Sequence, residues 1–316
     1  MIHPTLMERL DPITPEEKSI LSGGRIDPTL YSEGEEGVFN AKKLLESGKL
    51  ISLRPHTRFV HFPEHTHDFV EMVYMCKGKT EHVVNGVPVL LREGELLFLG
   101  QNARQEILPA SKDDLAVNFI VLPAFFQKTL ELLGGENTPI KRFLLESLFE
   151  EGSKGYLHFQ VSSVLPVQNL VENLIWTLIQ TSSNKRNISQ NTMALLFMEL
   201  TNHMETLVFQ NREEGALVKI YRYIEEHYRD GSLSDAATEL HYDLFWLSHF
   251  LSAQTGKTFT EFMQEKRMAQ ATYLLKNTRL PVEDISRLVG YQNKSYFHRI
   301  FLKNYGTTPK KYRDQI

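Results

Sequence analysis

The spacing of hydrophobic residues changes twice along the chain, and each change predicts a different kind of structure. Residues 1–50 show no sustained period and predict an irregular segment with short helices, one of them starting at Pro15. Between residues 50 and 122, short apolar runs are separated by turn residues, a pattern typical of β-strands. From residue 125 onward, apolar residues recur at every third and fourth position and predict α-helices.

The middle region predicts a small sandwich or barrel of short strands. Asn85–Gly86 lies between two of the apolar runs and is a strong hairpin signal. Many short strands at regular spacing are typical of such two-layer or barrel structures. The predicted strands are Arg58–Phe62, Phe69–Cys76, Thr80–Val84, Val87–Leu91, Leu96–Leu99, Gln105–Leu108 and Ala116–Leu122.

Two long helices are predicted between the strands and the carboxyl-terminal part of the chain. They cover Val167–Thr181 and Met193–Phe209, and the polar stretch Thr181–Asn191 between them is the best linker candidate by composition. Their apolar faces are suited to dimer contacts between two copies of the chain. The same faces are equally suited to packing on the outside of the barrel, and periodicity does not separate these alternatives.

The last hundred residues contain an internal repeat with an offset of about fifty. Each copy predicts a short helix, a turn and a second helix, which is the helix-turn-helix arrangement whose second helix enters the DNA major groove. A long helix from about Phe259 to Leu275 joins the copies, and two reading helices one DNA turn apart must be separated by about 34 Å. The matched pairs are Tyr242 with Tyr291, Leu247 with Phe297, Phe250 with Ile300, Gly256 with Gly306 and Thr258 with Thr308.

The two predicted recognition helices present different side chains to the outside. In the second copy the candidate groove contacts are Asn293, Lys294, Ser295, His298 and Arg299. In the first copy they are Phe245, Ser248 and His249, so this copy offers fewer cations to phosphates and guanine edges. Phe245 and Trp246 could contact thymine methyl groups or belong to the core, and Trp246 is interpreted as a core residue. The candidate phosphate contacts are Lys257, Lys303, Lys310 and Lys311.

Residues 290–313 read GY-x-N-K-SYF-x-R-x-F-x-K-x-x-G-x-TP-x-x-YR, and this run resembles the signature of the AraC/XylS family of bacterial transcription regulators. The resemblance implies a sequence-specific regulator, expected to activate transcription, that binds a double-stranded DNA operator and works with RNA polymerase. It also implies a homodimer whose sensor barrel binds a small-molecule effector, for which a sugar is the first candidate by analogy.

One group of polar residues in the predicted barrel is suited to ligand chemistry. His65, His67 and Glu71 have the spacing of the first cupin motif, and their odd numbering places them on one face of an extended segment. Gln105 stands where the second cupin motif would supply a further histidine, so the ligand set for a catalytic metal is incomplete. We therefore expect an organic-ligand pocket lined by these four residues, with no metal and no cofactor. A purely structural cluster and a metal site are the alternatives.

Charge is distributed unevenly along the chain, although the net charge is only −4. Residues 215–316 contain 15 Lys and Arg against 11 Asp and Glu, whereas the residues before them are acidic. A basic carboxyl-terminal part is expected where phosphates are bound. Cys76 is the single cysteine, which excludes an intrachain disulfide and suits a reducing cytoplasm, and no apolar run is long enough to span a membrane.

The sequence thus predicts an α+β protein with four parts. They are an arm with short helices at 1–50, a cupin-like sensor barrel at 51–125, a helical connector and dimerisation region at 126–212, and an all-α domain with two helix-turn-helix units at 213–316. The expected class is a cytoplasmic DNA-binding regulator and not an enzyme. Two rival classes stay open: a metal-dependent cupin enzyme fused to a DNA-binding domain, and a module that regulates through another protein with little DNA contact.

Overall fold

A computed structural model describes residues 2–33, 37–133, 139–148, 154–208 and 212–314. The chain divides into two units, Met1–Gln210 and Asn211–Ile316, which we call the amino-terminal unit and the carboxyl-terminal unit. The division lies well beyond Thr181–Asn191, and an α-helix already begins at Lys185 within that polar stretch. Thr181–Asn191 is therefore not a linker between the units, and the prediction of a linker there is wrong.

The arm consists of short elements. They are α1 (Pro4–Leu10), α2 (Pro15–Leu21), a 3-10 turn (Pro28–Leu30), β1 (Val38–Phe39) and α3 (Ala41–Leu44). The predicted start of α2 is confirmed by a capping box, in which Thr14 Oγ1 accepts from Glu17 N at 3.2 Å and Glu17 Oε2 accepts from Thr14 N at 2.8 Å. Arg58 Nε donates to Glu17 Oε1 at 2.7 Å, and both side chains are buried. This ion pair ties the arm to the barrel.

Two sheets form the barrel, and the predicted α+β architecture is confirmed. The strands after the arm are β2 (Ile51–Pro55), β3 (Phe62–His67), β4 (Val70–Lys77), β5 (Lys79–Val84), β6 (Val87–Arg92), β7 (Leu96–Leu99), β8 (Gln105–Ile107), β9 (Leu115–Val121), β10 (Tyr156–Phe159) and β11 (Leu207–Val208). One sheet has the order β1-β3-β8-β5-β6 and the other β11-β10-β7-β4-β9-β2. Met75 and Leu97 of the second sheet share a buried core with Val84 and Leu91 of the first, so the sheets pack face to face.

The strand predicted at Arg58–Phe62 is wrong, because the extended segment is β3, which starts only at Phe62. Phe59 has a positive φ of 71°, and the Arg58 side chain turns inward to Glu17, so the chain bends before β3. The hydrophobic pattern did not indicate β2 or β10. β10 lies between two helices in the sequence and is held by pairing with β7, a long-range contact that local periodicity does not reveal.

Helices follow the last strand of the barrel core. After a 3-10 turn at Pro123–Phe126 come α4 (Gln127–Leu132), α5 (Pro139–Leu148), α6 (Leu165–Ile179) and α7 (Lys185–Asn202). The helix predicted at Met193–Phe209 is displaced, because α7 ends at Asn202 and β11 follows; Phe209 lies outside the described residues. The ring of Phe197 on α7 lies 5.1 Å from that of Phe98 on β7, so this face of α7 packs on the barrel.

In its described part the carboxyl-terminal unit is helical, with a helix-turn-helix on either side of a long central helix. Its elements are α8 (Arg212–His227), α9 (Leu233–Glu239), α10 (Leu244–Thr255), α11 (Phe259–Asn277), α12 (Val282–Leu288), α13 (Lys294–Tyr305) and α14 (Pro309–Asp314). The central helix α11 contributes Phe259 and Met263 to one core, and Met268 and Leu275 to a second. With its 19 residues α11 is about 28 Å long, so it spaces the two cores.

The turns of the two helix-turn-helix units have the same backbone conformation but different tolerance for side chains. His241 has a φ of 57° and Gly290, at the equivalent position, a φ of 91°. His241 is exposed, so only the intrinsic cost of the left-handed conformation, about 1–2 kcal/mol for an L-residue, applies there. A Cβ atom at Gly290 would lie 2.1 Å from the carbonyl oxygen of Arg229. The second turn therefore requires glycine, whereas the first accepts histidine.

Candidate nucleic-acid interface and ligand cavity

The second helices of the two units, α10 and α13, start in the same way. Asp243 caps α10 by accepting from Trp246 N at 2.8 Å, and Asn293 caps α13 by accepting from Tyr296 N at 3.0 Å. Such caps satisfy backbone donors that the first turn of a helix leaves unpaired. Because the side-chain oxygen of Asn293 is used for capping, its NH2 group is what it can offer to a base edge.

Four of the predicted contacts on α13 are exposed: Lys294, Ser295, Arg299 and Lys303. The Arg299 guanidinium lies 5.2 Å from the centroid of the Tyr296 ring, a cation–π contact that orients the arginine. Lys294 Nζ lies 3.2 Å from Glu283 Oε2 on α12, so part of its charge is neutralised within the unit. Arg299 forms no such ion pair with any carboxylate of the described residues, which makes it the stronger candidate for a DNA contact.

His298 lies deeper than its position in the sequence suggests. The residue is half-buried, and its ring meets that of Phe297 edge-on at a centroid distance of 5.9 Å. Its Nε2 atom is buried and has no hydrogen-bond partner within the described parts of the chain. A base edge could reach this nitrogen only if the side chain moved, so His298 is a weaker candidate than Arg299.

On α10 the three predicted contacts are Phe245, Ser248 and His249, and all are exposed. Phe245 is 82% exposed, although it is a large apolar side chain. Trp246 is half-buried instead, and its ring stacks on that of Phe250 at a centroid distance of 4.7 Å. The interpretation of Trp246 as a core residue is confirmed by this packing, and the outer face of α10 is left to the other three side chains.

The four lysines proposed to meet phosphates differ in how much charge they can offer. Lys303, Lys310 and Lys311 are exposed. Lys257 Nζ lies 2.7 Å from Glu265 Oε1, and the same nitrogen lies 5.5 Å from the centroid of the Phe262 ring. A lysine that is already paired attracts a phosphate less strongly, so Lys257 is the weakest candidate of the four.

The barrel interior brings together the four polar residues singled out in the sequence. His65 and His67 come from β3, Glu71 from β4 and Gln105 from β8, and all four are buried. His65 and Gln105 are register partners on neighbouring strands. The His65 and His67 rings lie 5.1 Å apart, and His67 Nε2 lies 3.8 Å from Glu71 Oε2. Residues from three strands thus converge on one site.

Sequence reasoning missed three further members of this cluster: His56, His82 and Asn118. Asn118 Nδ2 donates to Glu71 Oε1 at 2.8 Å, and His56 Nδ1 lies 2.9 Å from Asn118 Oδ1. Gln105 Nε2 lies 3.1 Å from His82 Nδ1. The alternation of β5 and β9 could have indicated that His82 and Asn118 point inward. No comparable signal exists for His56, which follows β2.

Burial removes charge from the interior of the barrel. It lowers the pKa of His65 to about 4, and it also lowers the pKa values of His56, His67 and His82. Burial raises the pKa of Glu71 to about 7, although hydrogen bonds from Asn118 and Gln105 oppose the shift. Near neutral pH the imidazoles are therefore uncharged, and a positive charge at the site comes from Arg54, which lines the same cavity.

Several polar atoms in this interior lack a partner within the described residues. They are His56 Nε2, both ring nitrogens of His67, Glu71 Oε2 and Gln105 Oε1. Leaving a buried polar atom unpaired costs about 1–3 kcal/mol, so these atoms mark where a ligand or water would bind.

The arm closes the cavity beside this cluster. Phe39 stacks on His65 with ring centroids 4.0 Å apart, and Tyr31 stacks on Phe39 at 4.7 Å. Tyr31 Oη donates to Glu16 Oε1 at 2.7 Å, which fixes the outer ring to α2. The free volume of the cavity is about 40 Å³, room for a few water molecules. A larger ligand therefore requires the aromatic side chains of the arm to move.

The same residues offer no assembled metal site. Across the residues that the structure describes, no group of three or more His, Cys, Asp or Glu side chains has an arrangement that could hold a metal ion. Among His65, His67 and Glu71, the one pair with a nitrogen and a carboxylate oxygen within 4.0 Å of each other is His67 and Glu71.

Two family models match separate parts of the chain. Residues 50–188 match the AraC-like ligand binding domain, and residues 236–315 match a helix-turn-helix domain, so that together they cover more than two thirds of the chain. The chain belongs to the AraC family. It is a transcription regulator that combines a ligand-binding domain with a DNA-binding domain.

Relatives of known role support this assignment to the AraC family. The HTH-type transcriptional activator RhaR of Escherichia coli is 28% identical over 260 residues, covering 80% of this chain and 87% of RhaR, and RhaR of Shigella flexneri matches to the same extent. Among solved structures, ToxT from Vibrio cholerae is 16% identical to this chain with a TM-score of 0.39. The match covers 85% of this chain and 98% of the ToxT chain. The RhaR relatives are transcriptional activators. Within the described residues, no helix has the length and apolar character needed to cross a membrane.

Proposed function

We propose that this AraC-family protein places α10 and α13 in successive major grooves of a double-stranded operator, and that a small organic molecule bound in the barrel regulates this binding. The DNA part is supported by the two capped helices, each with an exposed outer face, which belong to helix-turn-helix units on either side of the spacing helix α11. The ligand part is supported by the unpaired polar atoms in the barrel.

In this proposal α13 carries most of the electrostatic attraction. Its base contacts are Lys294, Ser295, Arg299 and the amide of Asn293, with His298 as a contact that needs side-chain movement. The matching contacts on α10 are Phe245, Ser248 and His249. Phosphate contacts come from Lys257, Lys303, Lys310 and Lys311 and fix the register of the protein on the duplex.

Arg299→Ala tests the DNA part directly. Because Arg299 is exposed, the variant should fold normally and lose about 1–3 kcal/mol of operator binding if the arginine reads a guanine edge. If it meets only a phosphate, the loss should be the same for every DNA sequence, and the salt dependence should fall by about one unit of slope. Gel-shift titrations at two salt concentrations distinguish these results.

His249→Ala is the matched variant in the first unit. It should cost less than Arg299→Ala at neutral pH, since histidine contributes less electrostatic attraction to DNA than arginine does. An equal or larger loss for His249→Ala would show that the first unit dominates binding, contrary to the proposed ranking of the two helices.

The effector is proposed to bind at His65, His67, Glu71 and Gln105, with a sugar as the first candidate. A panel of monosaccharides should therefore contain a compound that raises the melting temperature, since a ligand at a hundred times its Kd stabilises the folded state by about 2.7 kcal/mol. His65→Ala should abolish the shift. His61→Ala, which alters an exposed histidine immediately before β3, should retain the shift. Loss of the shift in both variants would contradict this ligand site. A shift that is the same for every compound and is unchanged in both variants would contradict it too.

The remaining partners are proposed on separate grounds. A homodimer is supported by the second face of α7, where Ile188, Leu195 and Met198 are 44%, 51% and 41% exposed at helical spacing. Sedimentation velocity of the full-length protein tests it, and a monomer at tens of micromolar would refute it. Activation through RNA polymerase is supported by the similarity to the transcriptional activator RhaR, and a cytoplasmic location is proposed because the target is a DNA operator.

The metal content of the purified protein tests the alternative that this chain is a metal-dependent enzyme. Purified protein should contain well below one equivalent of iron, zinc, manganese or nickel. A stoichiometric metal that is lost in His67→Ala would favour the enzyme.

A further inference from the structure

Phe245 has the most exposed large apolar side chain of the described residues, at 82%. It is the second residue of α10 and follows Leu244, which is 38% exposed. No ring of the described residues stacks on it, whereas the adjacent Trp246 stacks on both Tyr242 and Phe250. The fold of the carboxyl-terminal unit therefore makes no use of the Phe245 ring.

The position of Phe245 within α10 is specific. Ser248 and His249 lie three and four residues further along, so the three side chains share the exposed face of the helix. The buried face is formed by Leu247, Phe250 and Leu251 and belongs to the core of the first unit. Phe245 thus lies on the outer face at the amino-terminal end of a recognition helix, the part that contacts base edges in helix-turn-helix proteins.

The second unit has a polar residue where the first has this ring. By the repeat of fifty residues, Leu244 and Phe245 correspond to Lys294 and Ser295, both of which are exposed on α13. The amino-terminal end of α10 is therefore apolar, whereas that of α13 carries a cation. The apolar feature of the major groove is the C5-methyl group of thymine, which side chains read by van der Waals contact.

We propose that Phe245 reads thymine methyl groups, so that the first half-site is recognised by apolar contact and the second by charge. The proposal rests on the proposed entry of α10 into the major groove. The small Ser248 side chain one turn away leaves room for the ring to lie along the base edges. Asp243, at the start of α10, disfavours a phosphate close to the same spot and so favours approach to the bases.

The test compares two changes that remove the same contact from opposite sides. Duplexes are first selected from a random pool by the full-length protein, and single thymines are then replaced by deoxyuridine, which removes only the methyl group. For the wild-type protein one or two such replacements in one half-site should weaken binding about fourfold each, the worth of one buried methyl group. Phe245→Ala should weaken binding to the unmodified duplex about tenfold or more, with an unchanged salt slope.

The decisive quantity is the coupling between the two changes. In Phe245→Ala the same deoxyuridine replacements should have no effect, and Phe245→Ser, which copies Ser295, should behave in the same way. Tyr273→Ala, which removes a 59% exposed ring on α11, should keep wild-type affinity and wild-type sensitivity to deoxyuridine. Since Phe245 is exposed, circular dichroism of the variants should match that of the wild type.

Three results would overturn the proposal. One is an equal deoxyuridine effect in the wild type and in Phe245→Ala. Another is full DNA affinity in Phe245→Ala with lost transcription activation, which would assign the ring to a protein partner. The third is a set of selected duplexes without any thymine whose methyl group matters. A wild-type protein that selects no DNA at all would refute the proposed function itself, which is a different outcome from these three.

Discussion

Gly290→Ala is expected to disrupt the second helix-turn-helix and to abolish high-affinity operator binding. The new Cβ atom would lie 2.1 Å from the carbonyl oxygen of Arg229, at a φ of 91° that alanine disfavours. The carbonyl cannot easily move away, because Arg267 Nη2 donates a hydrogen bond to it at 3.1 Å. The left-handed conformation and the overlap together should cost about 3 kcal/mol or more of the free energy of unfolding.

Gly306→Ala is the matched control for this prediction. Gly306 ends α13 with a φ of 67°, and a Cβ atom there would meet nothing within 4 Å. Only the conformational cost of about 1–2 kcal/mol should therefore appear. Urea unfolding of both full-length variants, followed through the carboxyl-terminal unit, measures the difference. Equal losses would mean that the contact with Arg229 has no energetic weight.

Arg58→Ala is expected to destabilise the amino-terminal unit by about 3–5 kcal/mol and to release the arm from the barrel, because it leaves a buried carboxylate unpaired. The Arg58 guanidinium donates to Glu17 Oε1 at 2.7 Å and to Glu17 Oε2 at 3.0 Å, and Glu17 has no exposed surface. Arg58 also donates to the carbonyl oxygens of Asp11 in the arm and of Lys112 in the loop between β8 and β9, so its loss removes contacts to both segments. Thermal unfolding and limited proteolysis of residues 1–50 measure the effect.

Two variants make this prediction specific. Lys42→Ala breaks the exposed Lys42–Glu33 pair, with the lysine side chain 79% exposed, and should cost less than about 1 kcal/mol. Replacing Glu17 and Arg58 together by leucine should be much less harmful than Arg58→Ala, because no buried charge is then left unpaired. A double variant as unstable as the single one would mean that packing, and not charge, explains the loss.

The Arg58–Glu17 ion pair also predicts how the stability of the arm depends on pH. Burial raises the pKa of Glu17, but the hydrogen bonds from Arg58 and Thr14 outweigh this and hold it below its ordinary value. A carboxylate with a lowered pKa stabilises the fold fully above its unfolded pKa of about 4.3 and loses that contribution as the pH falls through the folded value. Proteolysis of the arm should therefore accelerate below about pH 4 in the wild type, and Arg58→Ala should show no comparable acid step.

Local features of the chain were sufficient for those elements whose signals are themselves local. The hairpin at Asn85–Gly86 is confirmed, with Asn85 at a φ of 52° between β5 and β6, because the turn chemistry resides in two adjacent residues. The capped start of α2 and the repeated cap, turn and glycine positions of the two helix-turn-helix units are likewise present as expected. Each of these signals lies within a few residues of the feature that it predicts.

The errors have the opposite origin. The strand expected at Arg58–Phe62 does not form because Arg58 is drawn to Glu17, 41 residues earlier in the chain. β10 is held by its pairing with β7, and residues 185–191 form the first turns of α7, a helix that packs on the barrel. Contacts at such separations are decided by the whole fold and leave little trace in the local pattern.

The residues of the candidate sites also divide into those that local sequence signals indicate and those that only long-range contacts bring together. The sequence by itself determined the family, the tandem recognition helices and the inward-facing His65, His67 and Glu71, since motif spacing and alternation encode them directly. Only the tertiary structure added His56, His82 and Asn118 to the same cluster, and it showed Lys257 paired with Glu265 and His298 half-buried. Which side chains share a cavity, and which charges are already neutralised, depends on distances between strands and helices far apart in the chain.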